Sequence, residues 1–388
     1  MENSPGFHER IAFFERIARD WIHSGVATIA CGGWNEVGAI AELIPRGNVE
    51  LLPAAYQECF AGVRELRFTD APHHIHFDLG RIYSARYCVT PSVCFGGRPS
   101  FEVRLLATGA GGTKTQRSSL AMMLTAPYTA GQPDLAQVTE FFVRARDHIR
   151  ARPDLVEIEI APEVMASADS GTILAALRAA VGRDDEVPSL REALAWIRPG
   201  APGQVNQADG KVAARDPALL PLLRDALQFR ESSLVIYRER TLVELQTERL
   251  AGVFRYEEGG HVSWQVGEFE DHHCHLALGE ITGVLFSAEP VSCQGGRLNY
   301  TVWFLVDGPC GNPYREEGYF SVVLNRPYEH GRPRRGIIGQ VFELYSRYAH
   351  EPWVSADAEF LRALEEATRT AGAQDGHASS DARAVVAY

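Results

Sequence analysis

The 388-residue chain carries 38 Lys and Arg against 50 Asp and Glu, a formal net charge of −12, with 45% hydrophobic and 23% charged residues. That is the composition of an ordinary folded globular protein. The acidic balance excludes a non-specific nucleic-acid partner, because affinity for a phosphate backbone comes mainly from basic residues displacing counterions.

From the N-terminus, "HERIAFFERIARDWIHSG" predicts a helix with Ile11, Phe14, Ile17 and Trp21 on one face and Gly25 as its stop. "PHHIHFDLGRI" (Pro72–Ile82) and "RPSFEVRLL" read as strands, the latter with Phe101, Val103 and Leu105 on one face. "SLREALAWI" carries a capping box, Ser189 with Glu192. Arg198–Asp216, polar and rich in Pro, Gly and Ala, reads as a linker. "DPALLPLLRDALQFR" then predicts a helix capped by Asp216, with Pro217 at its first position and Leu219, Leu220, Leu223 and Leu227 in one stripe. "RLNYTVWFLV" alternates Tyr300, Val302, Phe304 and Val306 on one strand face, and "GYFSVVLNRPY" is a further strand ended by proline. "RRGIIGQVFELYSRY" is a closing helix with Ile338, Val341, Phe342 and Tyr345 inward, and the last residues look like a mobile tail.

No apolar run approaches the ~20 residues that span a bilayer, and "MENSPGFHER" lacks a basic region followed by a hydrophobic one. The expectation is a cytoplasmic protein with no membrane partner. Seven cysteines, sparsely spread and without a C-x-x-C pair, suggest buried free thiols in place of disulfides or a structural zinc site.

The chain is a duplication. Shifted by 199, His73–Leu106 aligns with His272–Leu305 without a gap and with 13 of 34 residues identical, against ~2 expected for unrelated sequence. "LTAPYTAGQP" (Leu124–Pro133) matches "LNRPYEHGRP" (Leu324–Pro333) at a shift of 200. A period this long means two homologous domains, since solenoid repeats run ~20–50 residues. The expected fold is α+β: two tandem domains, each a mainly antiparallel sheet packed with helices. The expected boundaries are a first repeat over 1–152, a helical segment and linker over 153–215, a second repeat over 216–370 and a flexible tail over 371–388.

Both copies contain HHxHxxLGxI, ahead of a CxGGR turn. On a strand His74 and His76 share one face, as do His273 and His275, while His73 and His272 point the other way. Two imidazoles so placed can reach one cation, so a non-haem site for Fe, Cu or Zn on His273 and His275 is open. Glu280, five residues past His275, gives a cupin-like spacing that the first copy lacks, having Arg81 there. The bland alternative is that these histidines satisfy backbone groups at strand edges. The Gly-Gly pairs read first as hairpin turns.

The order of signals in the second half resembles the haem-utilisation proteins of the HemS/ChuS type, bacterial haem-trafficking and haem-degrading proteins built from two tandem domains. "SLVIYRERTLVELQTERLAGV" (Ser233–Val253) looks like that family's strand pair, and "DHHCHLALGEITGVLFSAEP" (Asp271–Pro290) is similar to its "D-F-N-L-H-L…I…V-x-K-P" stretch, with His275 on the family's His. The resemblance covers Ser233–Asp307 and, through the duplication, Val63–Leu106. It implies haem as cofactor and partner, a haem-dependent oxidoreductase or haem-handling protein with a small-molecule substrate, and leaves a homodimer open. The family's helix histidine, in a "V-H-Q-F" context, has no counterpart, since no histidine lies between His148 and His261. On this resemblance the iron falls to His74, His76, His273 or His275, with Arg98 and Arg297 offered to the propionates. The alternatives are a non-haem metalloenzyme and a non-catalytic carrier. "AHEPW" and "NRPYEHGRPRRG", with His350 and His330, incline the expectation towards the second half as the working one.

Overall fold

The computed structural model describes residues 5–32, 39–45, 49–53, 62–69, 71–92, 95–109, 112–182, 197–199, 218–238, 241–250, 252–258, 261–268, 271–291, 294–306 and 318–381. The Ser189–Glu192 capping box, the Asp216–Pro217 helix start and most of the expected linker lie outside them. So do Cys59, Cys94, Cys293 and Cys310; Cys31, Cys88 and Cys274 are buried free thiols. Among the described residues no helix is long and apolar enough to cross a membrane.

The fold is α+β with two large sheets. The first half opens with helix α1 (Pro5–Ile22), whose Ile11, Phe14, Ile17 and Trp21 are all buried as the helical period predicts, and it stops before Gly25 at φ +71°. Strands β1 (Ala27–Gly32), β2 (Ala39–Leu43), β3 (Val49–Pro53), β4 (Val63–Phe68), β5 (His74–Asp78), β6 (Ile82–Pro91), β7 (Pro99–Thr108) and β8 (Lys114–Leu124) follow. A two-residue hairpin, β9 (Tyr128–Thr129) and β10 (Gln132–Pro133), leads into helix α2 (Leu135–Ala151). Strand β11 (Val156–Ile160), the short helix α3 (Pro162–Met165), helix α4 (Ser170–Val181) and strand β12 (Ile197–Pro199) complete it.

The second half repeats the order with helix α5 (Leu220–Ala226), then β13 (Ser232–Arg238), β14 (Thr241–Gln246), β15 (Val253–Glu258), β16 (His261–Val266), β17 (His273–Leu276), β18 (Gly283–Val291), β19 (Arg297–Leu305) and β20 (Gly318–Leu324). The hairpin β21 (Tyr328–Glu329) and β22 (Arg332–Pro333), helix α6 (Arg335–Tyr348), strand β23 (Val354–Ala356) and helix α7 (Ala358–Asp381) close it.

The backbone is helical through Asp381, which takes in the first part of the stretch read as a flexible tail from residue 371. β11 pairs in parallel with β6 over Val156–Ile160, so the stretch after residue 152 is built into the first sheet, as β23 is built against β18 in the second.

The halves are not two self-contained sheets. The first sheet runs β12-β11-β6-β7-β8-β1-β2 and continues with β17-β16-β15 from the second half. The second runs β23-β18-β19-β20-β13-β14 and continues with β5-β4-β3 from the first. Each half lends three strands to the other's sheet, so β2 pairs with β17 and β14 with β5. Strand alternation then sets the faces. Ala41 and Leu43, Val243 and Leu245, Ile75 and Phe77, and Cys274 and Leu276 enter one continuous apolar core that runs through both halves. The residues between them point to the opposite faces. The Gly-Gly turns have φ of +62° and +81° at Gly96 and Gly97 and +65° and +76° at Gly295 and Gly296, which is why those positions are glycine.

Candidate metal centres

The strand exchange brings each repeated histidine strand against a carboxylate from the other half. In the β17–β2 pairing His273 lies directly opposite Glu42, and in the β5–β14 pairing His74 lies directly opposite Glu244. Directly opposed residues of an antiparallel pair hold their Cβ atoms ~4.5–5.5 Å apart. His275 and His76 stand two residues further along on the same faces. Two clusters result, Glu42–His273–His275 and His74–His76–Glu244, each offering three ligand atoms within 4.8 Å of one another.

One imidazole of each cluster is oriented in the same way. Nδ1 of His273 lies 2.7 Å from the carbonyl oxygen of Asp271, and Nδ1 of His74 lies 3.4 Å from that of Pro72. A carbonyl can only accept, so Nδ1 carries the proton and Nε2 is left as the ligand atom. Nε2 of His273 stands 3.6 Å from Glu42 and Nε2 of His74 stands 3.5 Å from Glu244. The paired rings sit edge to face, 5.0 Å apart in both clusters.

The surroundings differ. Glu42, His273 and His275 are buried, whereas His74, His76 and Glu244 are half-buried. Burial, with His273 adding to it, pushes His275 down to about 3, so this imidazole is neutral near pH 7. His76 is likewise held down, by burial first and by His74 second. Burial opposes charge on His74, but the Glu244 carboxylate outweighs it and the net direction is up. Burial opposes ionisation of Glu244 too, and there the His74 contact wins, holding the carboxyl below its ordinary range.

The first histidine of each triplet does a different job. His73 and His272 are buried and meet edge to face at 4.9 Å, with Phe68 5.1 Å from His272. Nδ1 of His73 accepts the backbone N–H of Gln246 at 3.0 Å, and Nδ1 of His272 accepts that of Ile44 at 3.2 Å. Each ring thus ties the start of a lent strand to the end of the strand that receives it. That is the backbone-satisfying role, and the middle histidine of each triplet shares it through its Nδ1 contact to a carbonyl.

The remaining candidates lie elsewhere. Arg98 is clamped to Asp169 at 2.7 and 3.1 Å, reaches the carbonyl of Gly131 at 3.0 Å and stacks over Tyr128 at 3.9 Å. Arg297 is exposed, 5.8 Å over Tyr328. Glu280 is exposed in the turn after β17 and takes no part in a cluster, and His330 and His350 are exposed. The carboxylate is supplied by Glu42 and Glu244, which sequence reasoning missed. Their signal was a lone acid inside an apolar strand, "AIAEL" and "LVEL", at matching places in both halves.

No family model and no curated protein matches this chain. Solved structures do. The chain is similar to holo-PhuS, a haem-binding protein from Pseudomonas aeruginosa, at 10% identity and a TM-score of 0.35 over 81% of this chain and 80% of that one. It is similar to the Escherichia coli O157:H7 haem-degrading enzyme ChuS at 12% identity and a TM-score of 0.35 over 87% and 84%. A second structure of ChuS, described as an E. coli haem oxygenase, matches at 12% identity and 0.35 over 86% and 91%.

Proposed function

We propose that this chain is a divalent-metal protein with two non-haem centres, one on Glu42, His273 and His275 and the other on His74, His76 and Glu244. The carrying observation is that the same donor set converges twice, at equivalent places in a duplicated chain, each time from both halves. Two imidazoles and one carboxylate are a ligand set for Fe(II) or Zn(II) that leaves coordination positions open for water or substrate. Bound there, the metal would supply Lewis acidity or a place for oxygen to bind. The protein's own part is to fix the ligand tautomers through Asp271 and Pro72 and to place a carboxylate in a sheet face, where a buried charge is costly unless a cation offsets it. Buried thiols at Cys31, Cys88 and Cys274 agree with a cytoplasmic setting.

Haem handling is the second reading, favoured on this chain by the neutral, half-buried His76, which stands opposite the apolar Leu242. It makes poor use of the clusters, because a porphyrin leaves iron two axial positions on opposite faces, while three donors here converge on one point. Arg98 is already held by Asp169.

Elemental analysis of protein loaded with Fe(II) or Zn(II) separates the readings. Two ions per chain are expected, falling to one in His275→Ala and in His76→Ala. A haemin titration that gives a Soret band removed by His76→Ala, with no stoichiometric metal in haem-free protein, would sink the two-centre reading.

A further inference from the structure

The two centres have the same kinds of ligand and differ in what the same sheet face carries beside them. In the second sheet the row of cross-strand neighbours runs His74, Glu244, Val235, Ser321, Trp303, and the next runs His76, Leu242, Tyr237. Tyr237 and Trp303 stack at 5.6 Å and 26°, and with Val235 they form an apolar cluster separate from the main core. Leu242, Leu285, Leu305 and Val323 pack on that cluster and are half-buried. In the first sheet, Arg86 and Arg104 stand where the 199-residue shift puts Leu285 and Trp303. Arg104 is paired with Glu102, and Arg86 with Glu157 and Glu159. One copy has become an ion-paired face and the other an aromatic one.

The aromatic face begins at the metal centre, because Leu242 is the direct cross-strand neighbour of both His76 and Tyr237. It also holds a polar group that the protein leaves over. Ser321 is fully buried, shares this face with Val235 and Trp303, and its Oγ has no hydrogen-bond partner. Ser321 is two strands from Glu244, about 10 Å at ~4.8 Å per strand. A single aromatic ring with a substituent at each end spans that distance.

We propose that the His74–His76–Glu244 centre is the working one, and that it binds a small aromatic ligand through a metal-ligating oxygen pair. The ring lies over Leu242 against Tyr237 and Trp303, and a polar substituent at its far end takes the Ser321 hydroxyl. The buried Glu42–His273–His275 centre is the structural member of the pair. This inference rests on the two-centre reading above.

The test uses the full-length Zn(II)-loaded protein and 4-nitrocatechol, whose absorption shifts when its oxygens ligate a metal and whose nitro group can accept from Ser321. One equivalent per chain is expected to bind, with acetohydroxamate, an oxygen chelator without a ring, at least tenfold weaker. Leu242→Gln, at a half-buried site, and Tyr237→Ala should weaken nitrocatechol at least tenfold. Ser321→Ala should weaken it about fivefold, the worth of one neutral hydrogen bond. All three variants should keep two ions per chain. His74→Ala should lose both one ion and the binding, while His273→Ala loses one ion and binds nitrocatechol as before. Unchanged binding in Leu242→Gln and Tyr237→Ala, or loss in His273→Ala with retention in His74→Ala, overturns the assignment while the metal reading stands. Absence of metal from the wild-type chain overturns both.

Discussion

The meeting of His73 with His272 gives the most direct test of how the halves are joined. His73→Ala removes the acceptor of the Gln246 N–H and leaves that donor unsatisfied, at a cost of about 1–3 kcal/mol. It also removes a buried ring from edge-to-face contact with His272, worth roughly another 1 kcal/mol. A loss of about 3 kcal/mol is expected, and the same for His272→Ala, which strands the N–H of Ile44. His73→Asn, whose side-chain oxygen can still accept, should recover part of it. The two rings touch, so the double variant should cost about 1 kcal/mol less than the two single losses combined. Urea unfolding of the metal-free protein at pH 7.5 reads all of these. Because each half lends strands to the other, the wild type should unfold in one transition. Single losses below 1 kcal/mol, strict additivity, or two separated transitions would refute the claim that this contact locks the exchange.

Three further outcomes follow from other sites. His148 is buried between the Tyr87 hydroxyl, 2.6 Å from Nδ1, and the Asp20 carboxylate, 2.9 Å from Nε2, and burial holds it below its ordinary 6.5. The unfolded chain therefore takes up the proton first, so stability is full above pH 6.5 and falls as pH drops below it, by up to about 1.4 kcal/mol per pH unit. In His148→Gln the urea midpoint should fall less steeply between pH 6.5 and 5. Ala130 has φ +48° in an exposed turn before Gly131 at +73°, so Ala130→Gly should raise stability by about 0.5–1 kcal/mol, seen as a higher melting temperature. Zn(II) at 100 times its dissociation constant should stabilise the chain by about 2.7 kcal/mol per centre, and a chelator in a thermal melt should reverse this.

Much of the local structure was legible. The helical stripe of Ile11, Phe14, Ile17 and Trp21, the Gly-Gly turns and the strand faces of Phe101, Val103 and Leu105 follow from short-range periodicity, and all are found as expected. The duplication was legible from identities, and so was the separation of His73 from His74 and His76, because it needs only strand alternation. The strand exchange was not, since "VRELRF" and "HVSWQV" carry the same alternation whichever half they pair with. Register between distant strands is a long-range property that local pattern does not encode. The missed carboxylates follow from that. Glu42 stands about 230 residues from the histidines it faces, and only the β2–β17 pairing makes them neighbours. Glu280, close in sequence, turned away because the strand ends at Leu276.

The exchange explains why the clusters have the form they do. In each half the carboxylate sits on the strand where the two halves meet, on the face opposite the core, so its surroundings are completed only by the strand that the other half lends. On the proposed reading it becomes part of a cation site beside the other half's histidine pair, and such a site exists only when both halves are docked in the correct register. A one-residue slip of β17 against β2 would turn His273 and His275 into the core and bring Cys274 to Glu42. The arrangement would therefore be both a ligand set and a check on pairing, and the cluster is present twice because the sequence is duplicated. Once the ligands served that common purpose, the faces beside them were free to diverge. Arg86 and Arg104 in one sheet, and Leu285 and Trp303 in the other, are the outcome of that freedom. The chemical difference between the two sheets thus lies in the rows flanking the histidines, while the histidines themselves are what the halves have in common.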